Sequence, residues 1–448
     1  MRRLATAALA GLMAMACGPA EQSPPHIVLV SMDTLRWDRV GRLGPDGRSI
    51  TPNLDTLAAE SVVFERAYTV SNESLFAHAA LFTGKLPSAI GPMDYRTFQL
   101  APGATTLASV LSRAGYRTEA AVGGGHLSAQ FGLDAGFDEY LVGEHFSGFQ
   151  QTVPMAIERL ERATGGDEPL FLFVHGYDCH SPYIKPGFAG RAFSPGYDGP
   201  FMQRARTPIF YEQVYGEWYA PGFRPERIKG AGRAGFISTD MFDALVAHVE
   251  EAGPNALIRL TPEDKAFLLG TYDAAAMYAD MWLGVLLQRI DALGLGENTV
   301  VAVISDHGED LLDHGFFNHR AGLWEETLHV PMMIRAPGLA PALGEEPVAL
   351  TDLSATLLGL AGTSTAFPGT DLLSGPIDPE RVILSEGVGG QLAARNATHS
   401  LMLSRGTALT AEPPDQAPPG ASLADSAGRE LPWSGAVARP MWEALAGR

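Results

Sequence analysis

A nearly unbroken apolar run from residue 26 to 32 follows Pro24 and Pro25 and ends on Asp33. A strand with no polar face belongs in the middle of a parallel sheet, covered by helices on both sides. Thr51 and Pro52 then read as an N-cap and a first helical residue, with Leu54, Leu57 and Ala58 at helical spacing behind them. Further strand patterns fall at 117–122, 170–175, 299–305, 331–335 and 382–385. The spacing predicts helices over 105–114, 272–293 and 350–360, the last closed by Gly362. Strand and helix alternating at this scale predict an α/β fold: a large, mostly parallel sheet flanked by helices. No internal repeat interrupts the alternation.

Residues 185–259 break the rhythm, being rich in glycine, proline and aromatic side chains such as Tyr211, Trp218 and Tyr219. So long an irregular insertion reads either as a lid or wall that shapes substrate choice or as surface elaboration. The pattern divides the chain into a main unit over 26–362 and a smaller C-terminal subdomain over 363–448. Beyond Pro337 it predicts one helix and a few strands, with a mobile Pro/Ala/Ser-rich stretch at 410–423.

Composition narrows the function. With 448 residues, 46% hydrophobic and 19% charged, and only two cysteines, the chain is neither a disulfide-stapled miniprotein, nor a disordered tail, nor a polytopic membrane protein. Its formal charge of −19 argues against nucleic acid as a partner, since such binding draws on phosphate neutralisation. Lysines occur only at 85, 185, 229 and 265, so a site for an anionic substrate must take its positive charge from arginine, histidine or a metal ion. At the start, Arg2 and Arg3 precede an apolar run over 4–16, as in a secretory signal, so export is expected. Ala14-Met15-Ala16-Cys17 resembles a bacterial lipoprotein box, with Ala14 where leucine is usual. Two outcomes stay open: a lipid on Cys17 anchoring the protein to an envelope membrane, or plain cleavage near Ala16 leaving it periplasmic or secreted. Residues 18–25 would be a short tether, and no other membrane contact is expected.

Ligands of open α/β sheets gather beyond the carboxyl ends of the strands. There the chain carries Asp33 after its first strand, Asp178 and His180 after the strand at 170–175, and Asp306 and His307 after that at 299–305. Aspartates and a histidine converging on one point would make a divalent-ion shell. Ser74 precedes a helical apolar run closed by Gly84, which puts its hydroxyl at a helix N-terminus, where amides and the dipole favour an anion. Beside a metal ion such a hydroxyl becomes a nucleophile; without one it is an ordinary N-cap. His126 follows Gly123-Gly124-Gly125, whose backbone permits close approach to a ligand. Cys179 reads as a small buried residue.

Several motifs resemble the sulfatase family of the alkaline phosphatase superfamily: Ser31-Met32-Asp33-Thr34-Leu35-Arg36, Thr51-Pro52-Asn53-Leu54-Asp55, Ala80-Leu81-Phe82-Thr83-Gly84, Asp178-Cys179-His180-Ser181-Pro182-Tyr183, Ser305-Asp306-His307-Gly308-Glu309, His314-Gly315 and Val330-Pro331. Their order and spacing match over 26–362. The resemblance implies a divalent metal bound by Asp33, Asp306 and His307 with Ser74 at the nucleophile position. It also implies His126, His180 and His319 around the substrate's anionic group, His319 standing where many members have lysine.

Two departures change the chemistry. Formylglycine sulfatases carry C-x-P-S-R or S-x-P-x-R, whereas this chain reads Ser74-Leu75-Phe76-Ala77-His78, which argues against converting Ser74 to formylglycine. Thr34 stands where many sulfatases have another metal-binding aspartate, so Mn²⁺ or Zn²⁺ becomes as plausible as Ca²⁺. His78 either serves the nucleophile or is simply packed. The expectation is an exported, metal-dependent hydrolase of sulfate or phosphate esters, with an anionic ester such as a sulfated glycan as substrate. Two alternatives stand beside it: a phosphodiesterase or phosphotransferase working through unmodified Ser74, and a non-catalytic binder of anionic glycans.

Overall fold

The structure is a computed structural model that describes residues 24–166, 168–181, 183, 193–199, 261–314, 319–320, 322–404, 406–410, 412–426 and 428–448. The leader with Cys17, tether residues 18–23 and most of the 185–259 insertion lie outside the described residues.

The main sheet contains β1 (His26–Met32), β2 (Val62–Phe64), β3 (Arg117–Val122), β4 (Glu139–Val142), β5 (Leu170–Gly176), β6 (Thr299–Ile304), β7 (Met332–Arg335) and β8 (Ala342–Gly344), in the order β4-β3-β5-β1-β6-β7-β2-β8. It is mostly parallel, as the alternation predicts, with β7 running antiparallel to β6 and β2. β1 lies between β5 and β6, parallel to both, and is buried along its whole length. Its side chains alternate between two cores. Ile27 and Leu29 pack with α2 (Ser74–Thr83), α3 (Leu107–Arg113) and α6 (Leu350–Leu360); Val28 and Val30 pack with α1 (Pro52–Ala59), α4 (Phe149–Ala163) and α5 (Pro262–Ala292). Helices on both faces are why the strand has no polar side.

α5 begins earlier than the spacing over 272–293 predicts. Thr261 and Asp264 form a capping box around Pro262, with the Thr261 hydroxyl accepting from the Asp264 amide and the Asp264 carboxylate accepting from the Thr261 amide. These start signals sit at the edge of the stretch read as irregular, which hid them. From inside α5, Asp280 accepts hydrogen bonds from the Asn53 amide at 3.1 Å, the Leu54 amide at 2.8 Å and Asn53 Nδ2 at 2.8 Å. It thereby satisfies first-turn amides of α1 that have no side-chain cap of their own.

A second sheet is antiparallel: β9 (Ile383–Gly387), β10 (Gln391–Arg395), β11 (His399–Leu403), β12 (Ser422–Asp425) and β13 (Glu430–Leu431), paired in chain order. It packs on α7 (Gly435–Ala446) through Met441, Trp442 and Leu445. Gly435 and Pro440 obscured this helix, so among the described residues the region after Pro337 holds two helices where one was expected. In the stretch read as mobile, the Trp442 and Trp433 indoles donate to the Thr410 and Pro414 carbonyls at 2.8 and 2.9 Å. Among the described residues no helix is long and apolar enough to cross a membrane.

Replacing Asp280 by alanine leaves α1's buried amides without an acceptor. The expected cost is about 1–3 kcal/mol, read as a lower midpoint in urea unfolding; an unchanged midpoint would show that the bonds contribute nothing.

Candidate active site

The loop after β1 turns sharply. Asp33 is followed by Thr34 at φ 59, a left-handed conformation that a β-branched residue adopts only under external constraint. The constraint comes from Tyr272 of α5, whose hydroxyl donates to the Thr34 carbonyl at 2.6 Å and accepts from the Arg36 amide at 2.9 Å. So held, the Thr34 amide donates to Asp306 Oδ1 at 3.1 Å, which joins the end of β1 to the end of β6.

After β6, the Ser305 hydroxyl donates to the His307 carbonyl at 2.7 Å. His307 Nδ1 lies 2.9 Å from the Gly308 carbonyl, which can only accept, so Nδ1 carries the proton and Nε2 is bare. That bare nitrogen faces Ser74 Oγ at 3.2 Å. Gly308 must be glycine, since a Cβ there would lie 2.0 Å from the Glu326 carbonyl oxygen.

Ser74 is the first residue of α2, and the side chain of Glu73 before it makes no cap, so the first-turn amides meet no capping group of the helix's own. The helix is buried throughout. It is stopped at Gly84, φ 68, where a Cβ would sit 2.5 Å from the Pro368 carbonyl oxygen.

Asp33, Asp306 and His307 are all buried, and one potential ligand atom from each falls within 4.8 Å of the others. Asp33 Oδ1 and Asp306 Oδ2 have no hydrogen-bond partner. Burial, then the neighbouring Asp306 carboxylate, holds the Asp33 carboxyl well above the usual carboxylate range, while the Ser74 hydroxyl offsets part of this. Two buried carboxylates with unmatched oxygens are unfavourable unless a cation joins them. The donor set of two carboxylates, one bare imidazole nitrogen and a hydroxyl therefore fits a divalent ion.

The three expected substrate histidines gather on one side of this cluster. His319 packs tilted against His307 with ring centroids 4.2 Å apart and lies 5.4 Å from His180. Phe146 bridges His180 and His126 at 5.6 and 5.7 Å. Burial drives His126 and His319 well below the ordinary imidazole value, and His180 down to about 4; neighbouring histidines and Arg320 push His126 and His319 the same way. Near neutral pH these rings are uncharged, not imidazolium cations.

Other residues of this wall were not singled out from the pattern. Glu73 receives a hydrogen bond from the Tyr95 hydroxyl and an ion pair from Arg320 at 3.1 Å, and the Tyr95 ring lies tilted against His126 at 4.5 Å. Glu309 lies 3.1 Å from His319 Nδ1, and burial pushes its carboxyl up. His175 Nε2 lies 3.2 Å from Asp33 Oδ2. A buried polar residue ending an apolar strand was the available signal for His175; nothing local marks the others.

Asp178 does not join the ion cluster, because its Oδ2 accepts from the Phe149 amide at 2.7 Å at the start of α4. His78 is packed. Its ring is fully buried against Phe82, Phe173 and His175, with Nδ1 2.7 Å from the Ser74 carbonyl and Nε2 2.9 Å from Ser31 Oγ. Cys179 is buried, as expected.

The family model described as Sulfatase matches residues 25–363. The ulvan-active sulfatase of Formosa agariphila is 28% identical over 353 residues, which is 76% of this chain and 62% of that protein. The chain thus spans less than two thirds of that relative. A solved structure of a protein in complex with its substrate D-glucosamine-2-N,6-O-disulfate superposes with a TM-score of 0.64 at 18% identity, covering 90% of this chain and 91% of that one. The phosphonate monoester hydrolase of Agrobacterium radiobacter gives 0.60 at 19%, covering 90% and 89%. The two solved structures share the alkaline phosphatase/sulfatase fold with this chain, and the family match, over most of its length, makes the chain a member of the sulfatase family.

Proposed function

We propose that the protein is an exported, metal-dependent hydrolase of sulfate or phosphate esters in which Ser74 is the nucleophile. The observation that carries this reading is Ser74 Oγ, 3.2 Å from the bare His307 Nε2, beside two buried carboxylates with unmatched oxygens. A divalent ion held by Asp33, Asp306 and His307 would favour the serine alkoxide and neutralise charge on the ester. Ser74 Oγ then attacks sulfur or phosphorus in line with the alcohol. The bond to the alcohol breaks, the departing alkoxide takes a proton, and water releases the group from Ser74. The α2 amides point at the developing charge. Glu309 and His319 share one proton across 3.1 Å; with it on Glu309, His319 Nε2 is a donor to the ester oxygens. His126 and His180 complete the wall around the anionic group.

The names of the relatives favour a sulfated glycan as substrate. On this reading residues 26–362 are the catalytic unit, 363–448 a small C-terminal subdomain and 185–259 a lid or wall. Export rests on Arg2, Arg3 and the apolar run after them, and Cys17 offers a lipid anchor in a bacterial envelope membrane.

A second reading, phosphoryl transfer from a phosphodiester through unmodified Ser74, is favoured by position 78. The formylglycine motif has arginine there, whereas this chain has a fully buried histidine that contacts Ser31 Oγ and the Ser74 carbonyl. A plain serine lacks the second hydroxyl with which a hydrated aldehyde expels sulfate.

Purified protein with Mn²⁺, Ca²⁺ or Zn²⁺ is expected to cleave an aryl sulfate or an aryl phosphate ester, and Ser74→Ala to lower kcat by more than about a thousandfold. No turnover with any of these ions, and glycan binding unchanged in Ser74→Ala, would instead mark a non-catalytic binder. Intact mass after substrate trapping separates the two chemistries: a phosphoryl adduct on Ser74 supports the second reading, and an aldehyde at 74 excludes it. Removal of metal by EDTA should abolish turnover and lower Tm. Reloading at a hundred times the dissociation constant should restore about 2.7 kcal/mol; a Tm indifferent to both treatments would contradict metal binding.

A further inference from the structure

His175, the penultimate residue of β5, stands directly across from Ser31 of β1 and is completely buried. Its Nδ1 receives a long hydrogen bond, 3.4 Å, from the Gly123 amide. An amide N–H can only donate, so Nδ1 is unprotonated and the ring's proton sits on Nε2. Nε2 then donates to Asp33 Oδ2 at 3.2 Å, which leaves Oδ1 as the free oxygen of that carboxylate. The ring has little room to swing away. Tyr177 packs edge-on at 4.5 Å, His78 edge-on at 5.1 Å, and Phe173 lies in the preceding layer at 6.4 Å.

We propose that His175 is a positioning residue for the cation site: a neutral imidazole of fixed tautomer that turns Asp33 so that Oδ1 faces the ion. The inference rests on the metal-dependent reading above. A purely structural pair explains the geometry poorly, because it would leave half of a buried carboxylate unsatisfied, which is worse than an apolar pair of the same shape. With a cation on Oδ1 and the imidazole on Oδ2, both oxygens are matched. Outer-layer donors of this kind orient a ligand and tune its basicity.

His175 also links the ion to the substrate wall. Gly123, its donor, begins the loop that carries His126, and a Cβ there would stand 2.2 Å from the Ser147 carbonyl oxygen. Farther along, the Tyr177 hydroxyl accepts from the His126 amide at 3.1 Å and donates to the Gly124 carbonyl at 3.2 Å. One ring therefore touches both the Asp33 carboxylate and the backbone that places His126.

The test is the Mn²⁺ affinity of the metal-stripped full chain, titrated by the electron paramagnetic resonance signal of free Mn²⁺, with no substrate present. His175→Phe keeps the ring volume and loses both nitrogens; His175→Gln carries an amide N–H that reaches Asp33; the shorter His175→Asn reaches Gly123 only. The expected result is Mn²⁺ binding weakened about 10- to 100-fold in His175→Phe and His175→Asn, with most of the loss recovered in His175→Gln. Parent-like affinity in all three overturns the proposal, as does a His175→Gln chain as weak as His175→Asn. Should His175→Phe fail to fold, the Gln and Asn chains still decide. Asp306→Ala separates the two levels: if it binds Mn²⁺ as the parent does, or the parent binds none, the metal reading falls along with the proposal. If Asp306→Ala loses binding and the His175 chains do not, only the role of His175 falls.

Discussion

Two carboxylates, Asp33 and Asp306, are buried side by side at the ends of adjacent parallel strands, and the rest of the site is arranged around that unfavourable contact. Charge buried this deeply persists only where something compensates it. Here the compensation is distributed: the Thr34 amide on Asp306, the His175 imidazole on Asp33, the His307 nitrogen beside both, and two oxygens left over that suit a cation. The strained backbone at Thr34 belongs to the same arrangement, because only that turn brings its amide to Asp306, and Tyr272 of α5 keeps it there.

The sheet makes the contact possible. With β1 between β5 and β6, and all three parallel, their polar ends emerge together, and both carboxylates are buried there. α2 then delivers Ser74 with uncapped amides, and the buried body of that helix leaves its first turn little freedom. His78 shows how the site departs from a formylglycine sulfatase. Where the motif has arginine, this chain anchors the helix to Ser31 of β1, and the guanidinium of Arg320 is engaged by Glu73, the residue before Ser74. A divalent ion at Asp33, Asp306 and His307, as proposed, would supply positive charge in a chain so poor in lysine.

The apolar runs and the polar residues ending them made Asp33, Asp306, His307 and Ser74 legible, because a parallel strand buried on both faces tolerates a charge only at its exit and a helix start attracts a small polar residue. The same logic pointed to Asp178, which sits at a strand exit but caps α4. Strand position says where a carboxylate emerges; which neighbour reaches it first is a matter of packing. Helix beginnings were read less well: the capping box at Thr261 lay against an irregular stretch, and α7 was masked by its own Gly435 and Pro440.

Local pattern alone was thus enough for the α/β architecture and for picking out Asp33, Asp306, His307 and Ser74, which the fold brings together, since burial and hydrogen-bonding requirements act on each residue where it stands in the chain. Pairwise distances across the fold decided the rest. The Glu73–Tyr95–Arg320 wall, the Asp280 clasp on α1 and the tautomer of His175 each join residues from separate elements, and no local periodicity encodes which side chains meet when separate elements pack.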